Sequence, residues 1–298
     1  MIDRIFILIL LATSAVAGPY PGAAGASGSD AISKDDPRFV QWVSGHLDYV
    51  LGANVTNSWR TPAKAYGPAT EDVFDIVCLG DGGKITLYFP HPIMDGEGAD
   101  FAVFENSFSN TFLELAFVEV SSDGVNFIRF PSASLTSSAT NSIDPTNLRG
   151  LAGKHRGGFG TPFDLADLSA PPTLDKNNVR FVRLIDILGN GTSKDSDNRP
   201  IFDPYPTTGS AGFDLDAIGV IHRNNGDFPI VLSGLDGGGF EIEWGSNPGN
   251  RYRIEKSPDC VEWLPVQELP ADPTGGSTSF SVAKPAEAKF FWRVVRLD

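Results

Sequence analysis

The stretch AFVEVSSDGVNFIRF, residues 116–130, decides the fold class. Its flanks alternate apolar and polar residues, the period of a half-buried strand. Between them SSDG is a turn sequence, with Gly124 free to take positive φ. The stretch reads as a β-hairpin, and the chain on either side repeats the same grammar. Phe74–Leu79 and Lys84–Phe89 flank the turn GDGG, and strand signals recur at Asp100–Phe104, Val179–Ile187 and Ala217–His222. Turn residues separate them. Residues 131–172 are mostly loop, long enough to suggest a functional or metal-ordered segment.

One helix is expected. Asp36-Pro37 has the form of an N-cap followed by a first-turn proline. Phe39, Val40, Val43, Leu47 and Val50 then follow at three- and four-residue spacing, up to Gly52. Residues 18–35, small and rich in glycine, read as a flexible lead-in.

Composition changes at Arg223–Asp227. Beyond it, FEIEW (240–244), YRIEKS (252–257), VEWLPV (261–266), TSFSV (278–282) and FFWRVVRL (290–297) alternate between turns. They predict a small antiparallel sandwich with Trp244, Trp263 and Trp292 in its core. The fold class is therefore all-β: a jelly-roll-like sandwich with one short N-terminal helix over 36–223, then a small sandwich over 227–298.

Arg4, the apolar run Ile5–Ala12 and the triplet Ala15-Val16-Ala17 form a signal-peptide pattern with cleavage expected after Ala17. That run is too short to span a bilayer, so an exported chain that is not an integral membrane protein is expected. The net charge of −14 argues against nucleic acid as a partner. The two cysteines, Cys78 and Cys260, fall in different predicted domains, which disfavours a disulfide.

The pieces WRTPAKAYG (59–67), FDIVCLGDGGKITLYF (74–89), DFAVFENSF (100–108), LAGKHRGGFGTPFDL (151–165) and GFDLDAIGVI (212–221) resemble, with the hairpin, a family of bacterial cell-surface proteins. Many of these carry a PEP-CTERM sorting tail. VEVSSDGVNF and VRFVRL are also similar to discoidin-like, galactose-binding-type jelly rolls. Residues 228–298 look like the small fibronectin-like module of exported bacterial proteins. The resemblance implies a fold and an extracellular or cell-surface location. No Pro-Glu-Pro motif, apolar segment or basic tail follows Asp298, so membrane sorting of that kind is not expected.

Candidate chemistry concentrates in residues 186–219. Asp195, Asp197 and Asp203 share one loop, and Asp214 and Asp216 precede an apolar strand. Calcium takes six to eight hard oxygen ligands, which clustered aspartates supply. Arg199 at the third ligand position excludes an EF-hand. Asp214 and Asp216 would share one strand face by the period of two, needing either a cation or the arginines Arg180 and Arg183. Glu105 and Asn106 could complete either arrangement. Asp95, Glu97 and Asp100 form a second, weaker candidate metal site. His155 and Arg156 beside glycines are a candidate anion loop or an ordinary turn. Trp59, Tyr66, Phe202 and Tyr205 are candidate ligand-binding aromatics. No catalytic signature is present, and the four histidines lack zinc-ligand spacing.

These features point to an exported, calcium-stabilised, non-catalytic protein that binds polysaccharide or cell-surface matrix. Two alternatives stand beside it. One is a carbohydrate-active enzyme using carboxylates among Glu105, Asp203, Asp214 and Asp216; the other is a structural surface-layer component.

Overall fold

The computed structural model describes residues 17–70, 72–169, 171–224, 230–246, 249–258, 262–273, 276–283 and 290–297. The signal-peptide pattern, apart from Ala17, and Cys260 lie outside these residues. Among them no helix is long and apolar enough to cross a membrane. The all-β class holds: among the described residues 21 strands form antiparallel sheets, and helical structure is limited to short 3-10 turns.

Two sheets face each other across the main core. Sheet I runs β1 (Ile32–Ser33), β11 (Phe159–Phe163), β6 (Phe101–Glu105), β15 (Asp214–Val220) and β2 (Gln41–Trp42), with β4 (Val77–Cys78) also on β15. Sheet II runs β3 (Gly45–Val50), β5 (Lys84–Ile93), β12 (Val179–Asp186), β7 (Ala116–Ser121) and β8 (Ile128–Arg129). Alternate residues of facing strands fill the space between them: Phe101 and Val103, Ile218 and Val220, Ile85 and Leu87, Val118 and Val120, Val182 and Leu184. Stacked Phe101 and Phe163, with Phe130 edge-on to both, close one end of this core. Two small hairpins lie outside the sheets, β9 (Ala133–Ser134) with β10 (Leu148–Arg149), and β13 (Asn190–Lys194) with β14 (Pro200–Phe202).

The hairpin of residues 116–130 forms as its sequence predicts. Glu119 pairs with Arg129 and Val120 with Ile128, and Gly124 has φ of 75°. Asp123 fastens the turn by accepting from the backbone N–H of Val125 and Asn126. The GDGG turn does more than reverse the chain. Its two flanks belong to different sheets, β4 to sheet I and β5 to sheet II, so it is a corner of the sandwich.

The expected helix over residues 36–52 is absent. Asp36 accepts from the Arg38 N–H in a local turn, and β2 and β3 follow. The residues of the expected apolar stripe do not share a buried face, since Val43 is buried while Val40, Leu47 and Val50 are about half exposed. The 3.6-residue spacing was coincidental, and pairing to β15 and β5 overrides local propensity.

Residues 18–35 are not a loose lead-in either. Gly18 and Tyr20 donate to Thr146, Asp30 pairs with Lys154 and His155, and β1 extends sheet I. Small residues allow this close packing as readily as they allow flexibility.

In the C-terminal part, β16 (Ile230–Gly234), β17 (Phe240–Ser246) and β20 (Gly276–Val282) form one sheet. β19 (Leu264–Pro270), β18 (Arg251–Ser257) and β21 (Phe291–Leu297) form another. Ile242, Trp244, Tyr252, Ile254 and Val282 make a core between them, with Trp292 packed against it. Trp263 is not a core residue: it is half-buried and carries the Arg293 guanidinium 4.2 Å above its ring.

Candidate functional site: a buried carboxylate cleft

Glu105 ends β6 and lies opposite Leu215, where β15 begins. Two residues further along β15 the partner has moved by only one, from Glu105 to Phe104, so Asp216 is the extra residue of a bulge. The bulge changes the side-chain phase. Phe213 and Leu215 enter the inter-sheet core before it, Ile218 and Val220 after it. Uninterrupted alternation, the basis for placing Asp214 and Asp216 on one face, therefore does not apply. Asp216 accepts both its bonds from the Thr70 N–H, and Asp214 lies beside Cys78 and Ser210.

Glu114, just before β7, completes the cluster. It lies between Leu113 and Leu115, both fully buried, and a lone acid inside the apolar run FLELAF was the sequence signal that could have revealed it. Glu105, Glu114 and Asp214 line a cavity of about 390 Å³ with Asn141, Thr207 and Ser210. Asn106, Ser107 and Phe108 separate it from a smaller hollow of about 160 Å³ that holds Asp72 and Asp216. Phe108, 79% exposed, stands on this divide.

The electrostatics follow from burial without compensation. Glu105, Glu114 and Asp214 are each at most 6% exposed, and none forms an ion pair with a basic side chain among the described residues. Burial, then the charge of Asp214, pushes Glu114 up to about 9, although the Thr207 hydroxyl partly offsets this. Burial pushes Asp214 up to about 7 against bonds from Cys78 and Ser210. Burial and the neighbouring Glu114 hold Glu105 well above the usual carboxylate range. Glu114 Oε1 and Asp214 Oδ1 have no hydrogen-bond partner. Buried polar atoms are ordinarily satisfied, so two unpartnered oxygens on residues that line one cavity call for a proton donor or a cation.

The other candidate ligands do not line this cleft. Asp195 is a turn fastener in the β13–β14 hairpin. It accepts from the backbone N–H of Ser134, Asp197 and Arg199 and from the Arg199 guanidinium, which also binds Asp197. Asp203, buried, accepts from Leu115 N–H near Asp186. Arg183 goes to Glu119 and Thr86 and stacks on Phe127 instead of meeting Asp214 or Asp216.

The second expected acidic site is re-formed with a different third member. Asp95, Asp100 and Asp164 bring ligand atoms within 4.8 Å of one another, and Glu97 is not part of the group. Asp100 is already engaged by Gly96 N–H, Leu165 N–H and His222 Nδ1, and Asp95 lies 3.5 Å from Lys176.

Of the aromatics, Trp59 stacks on exposed Phe74 at 5.7 Å, and Tyr66 bonds His46 through its hydroxyl. Phe202 sits against Gly191 in the β13–β14 hairpin, and Tyr205, 38% exposed, precedes Pro206 at the cleft. Phe74 and Phe108 were not singled out in the sequence; Phe74 opens the expected strand Phe74–Leu79 and Phe108 follows the one over Asp100–Phe104. His155 is buried against Asp30 and forms no anion loop with Arg156, whose guanidinium lies over Phe159.

No protein-family model matches the chain, and no curated protein matches it. Among solved structures, a neighbour is the crystal structure of beta-1,2-glucanase from Parabacteroides distasonis, 14% identical, with a TM-score of 0.28. The match covers 88% of this chain and 36% of that one, so the chain spans about a third of the glucanase's length. A likeness this distant carries no statement about activity.

Proposed function

We propose that this is a secreted or cell-surface, non-catalytic binding protein whose acidic cleft holds a divalent cation, calcium, and through it a polysaccharide. The observation that supports the reading is the pair of unpartnered buried oxygens, Glu114 Oε1 and Asp214 Oδ1, on two residues that line the same cavity. A hard dication suits carboxylates, and the side-chain oxygens of Asn141, Thr207 and Ser210 line the same space. Glu105 adds a third carboxylate. In this arrangement the cation replaces the protons that the cluster otherwise retains, and its open positions accept sugar hydroxyls. Phe108 and the Trp59–Phe74 stack offer apolar faces to the rings of an extended glycan. The fibronectin-like reading of residues 228–298 fits an extracellular setting.

The test is calcium titration of EDTA-treated protein, followed by affinity electrophoresis through gels containing soluble polysaccharides. Calcium at 100 times its dissociation constant stabilises the native state by about 2.7 kcal/mol. The expected result is a raised unfolding midpoint that Asp214→Asn abolishes, with calcium-dependent retardation that Phe108→Ala weakens. An unchanged midpoint would overturn the cation reading.

A second reading rests on the same raised carboxyls. A protonated Glu114 beside an ionisable Asp214 is the pairing that glycoside hydrolysis requires. Release of reducing sugar by the wild type, lost in Glu114→Gln while the fold persists, would favour it.

A further inference from the structure

The N-terminal segment is fastened to the sandwich at Gly18. Its N–H donates to Thr146 Oγ1 at 2.6 Å, and Tyr20 N–H donates to the Thr146 carbonyl oxygen at 3.1 Å. Thr146 lies in the 3-10 turn Pro145–Asn147, between β9 and β10. Ala17, one residue before the contact, is exposed. Only glycine fits at position 18, because a Cβ there would stand 2.2 Å from the Thr146 carbonyl oxygen and 2.4 Å from Asn147 Oδ1.

A negative charge stands behind Thr146. Asp144 Oδ1 accepts from Thr146 Oγ1 at 2.7 Å and from Thr146 N–H at 2.9 Å. The hydroxyl proton is thus committed to Asp144, and an Oγ1 lone pair is left to accept from Gly18 N. Asp144 has no basic partner among the described residues. The Gly18 nitrogen therefore lies two hydrogen bonds from an unpaired carboxylate. An amide brings one donor and no charge to this place, whereas an ammonium brings three donors and the complementary charge.

The signal-peptide pattern puts cleavage at the bond between Ala17 and Gly18, after the small triplet Ala15-Val16-Ala17. Hydrolysis of that bond takes up one water, leaves a carboxylate on Ala17 of the leader and creates an α-ammonium on Gly18. The expected cut and the oxygen-lined contact thus fall on the same nitrogen.

We propose that the turn Asp144–Asn147 is a binding seat for the mature N-terminus, in which the Gly18 α-ammonium donates to Thr146 Oγ1 and is held by the charge of Asp144. The inference rests on the secreted reading and on nothing in the acidic cleft. Cleavage then has a structural effect besides removing the leader. It tightens the segment whose Tyr20 and Pro21 line an apolar cavity with Phe130 and Phe163, and whose Asp30 pairs with buried Lys154. Cleavage one residue later would put Pro19 first and take this donor away from Thr146.

The experiment compares thermal unfolding of the mature chain, residues 18–298, with a free and with an acetylated α-amine, in EDTA at pH 6 and low salt. A free α-amine, with a pKa of about 7.7–8.0, is protonated there, and low salt leaves the exposed Asp144 unscreened. Acetylation restores the amide of the precursor and removes the charge. The free chain is expected to unfold about 2 °C higher. Asp144→Asn keeps an acceptor oxygen and a good N-cap while removing the charge. It should erase most of that difference and leave the acetylated chain unchanged, the coupling being read as a double-mutant cycle. N-terminal sequencing of the protein exported by a secreting bacterial host should begin at Gly18. Equal midpoints for the two chains, or an equal loss from Asp144→Asn in both, would overturn the seat and leave export standing, as would a processed chain that begins at another residue. Retention of the leader would overturn the secreted reading and the proposal with it.

Discussion

Asp214 faces Cys78 across the β15–β4 ladder, and the Cys78 thiol donates to the Asp214 carboxyl. The thiol is buried in a cluster with Val55, Ile76 and Ala211. Burial, reinforced by the charge of Asp214, holds it far above the range in which thiols ionise. With Cys260→Ser as background, iodoacetamide is expected to leave the native protein unlabelled and to modify Cys78 only after unfolding. Rapid labelling of the folded chain would contradict this burial.

The cleft also sets a pH dependence. Glu114 and Asp214 rise from 4.5 and 3.8 to about 9 and about 7 on folding. Between those limits the native state keeps protons that the unfolded chain has released, so stability falls as pH rises. The contribution is complete below about pH 4 and is lost through about pH 7 and then about pH 9. Asp186 and Asp216, both pushed up to about 7 by burial, act in the same direction. Unfolding midpoints measured in EDTA should therefore decline toward alkaline pH, and Glu114→Gln should flatten the curve. An unchanged slope in that variant would place the retained protons elsewhere.

Asp195→Ala should destabilise the protein without touching the calcium response. Its fully buried carboxylate accepts from three backbone N–H groups and the Arg199 guanidinium. Stranding those donors costs on the order of 3 kcal/mol. Thermal unfolding with and without calcium checks both halves of the statement.

Gly153→Ala is expected to be worse than an ordinary surface change. Gly153 has φ of 85°, and an added Cβ would run into the Glu114 carbonyl oxygen and approach Phe213 at 3.2 Å. Left-handed strain and displacement of Glu114 together cost about 1–3 kcal/mol, with a weaker calcium response. A midpoint within experimental error of wild type would refute it.

What could be read from the sequence depended on how local its cause was. The 116–130 hairpin was legible because alternation, turn residues and Gly124 all lie within one short segment. The alternating strands around Ile242 and Ile254 were legible for the same reason. β2 and β3 were not, because their partners lie on β15 and β5 and the apolar spacing of 39–50 imitates a helix. In the cleft, Glu105 and Asp214 could be named from their strand ends. The phase shift at Asp216 could not, since a bulge is defined only by the opposing strand. Likewise, nothing near Asp30 announces Lys154, which lies 124 residues away.

Sheet I also constrains the order of assembly. β15, ending at Val220, bridges β2 near the beginning of the chain and β6 further along. Until residue 220 is present, β2 lacks its partner and one face of sheet II lacks much of its cover. For a chain threaded through a pore with its N-terminus leading, the first strands to emerge must wait for one of the last strands of the sandwich. Contacts this distant in sequence favour slow folding, and such a chain would stay unfolded, and so able to pass through the pore, until its passage was nearly complete.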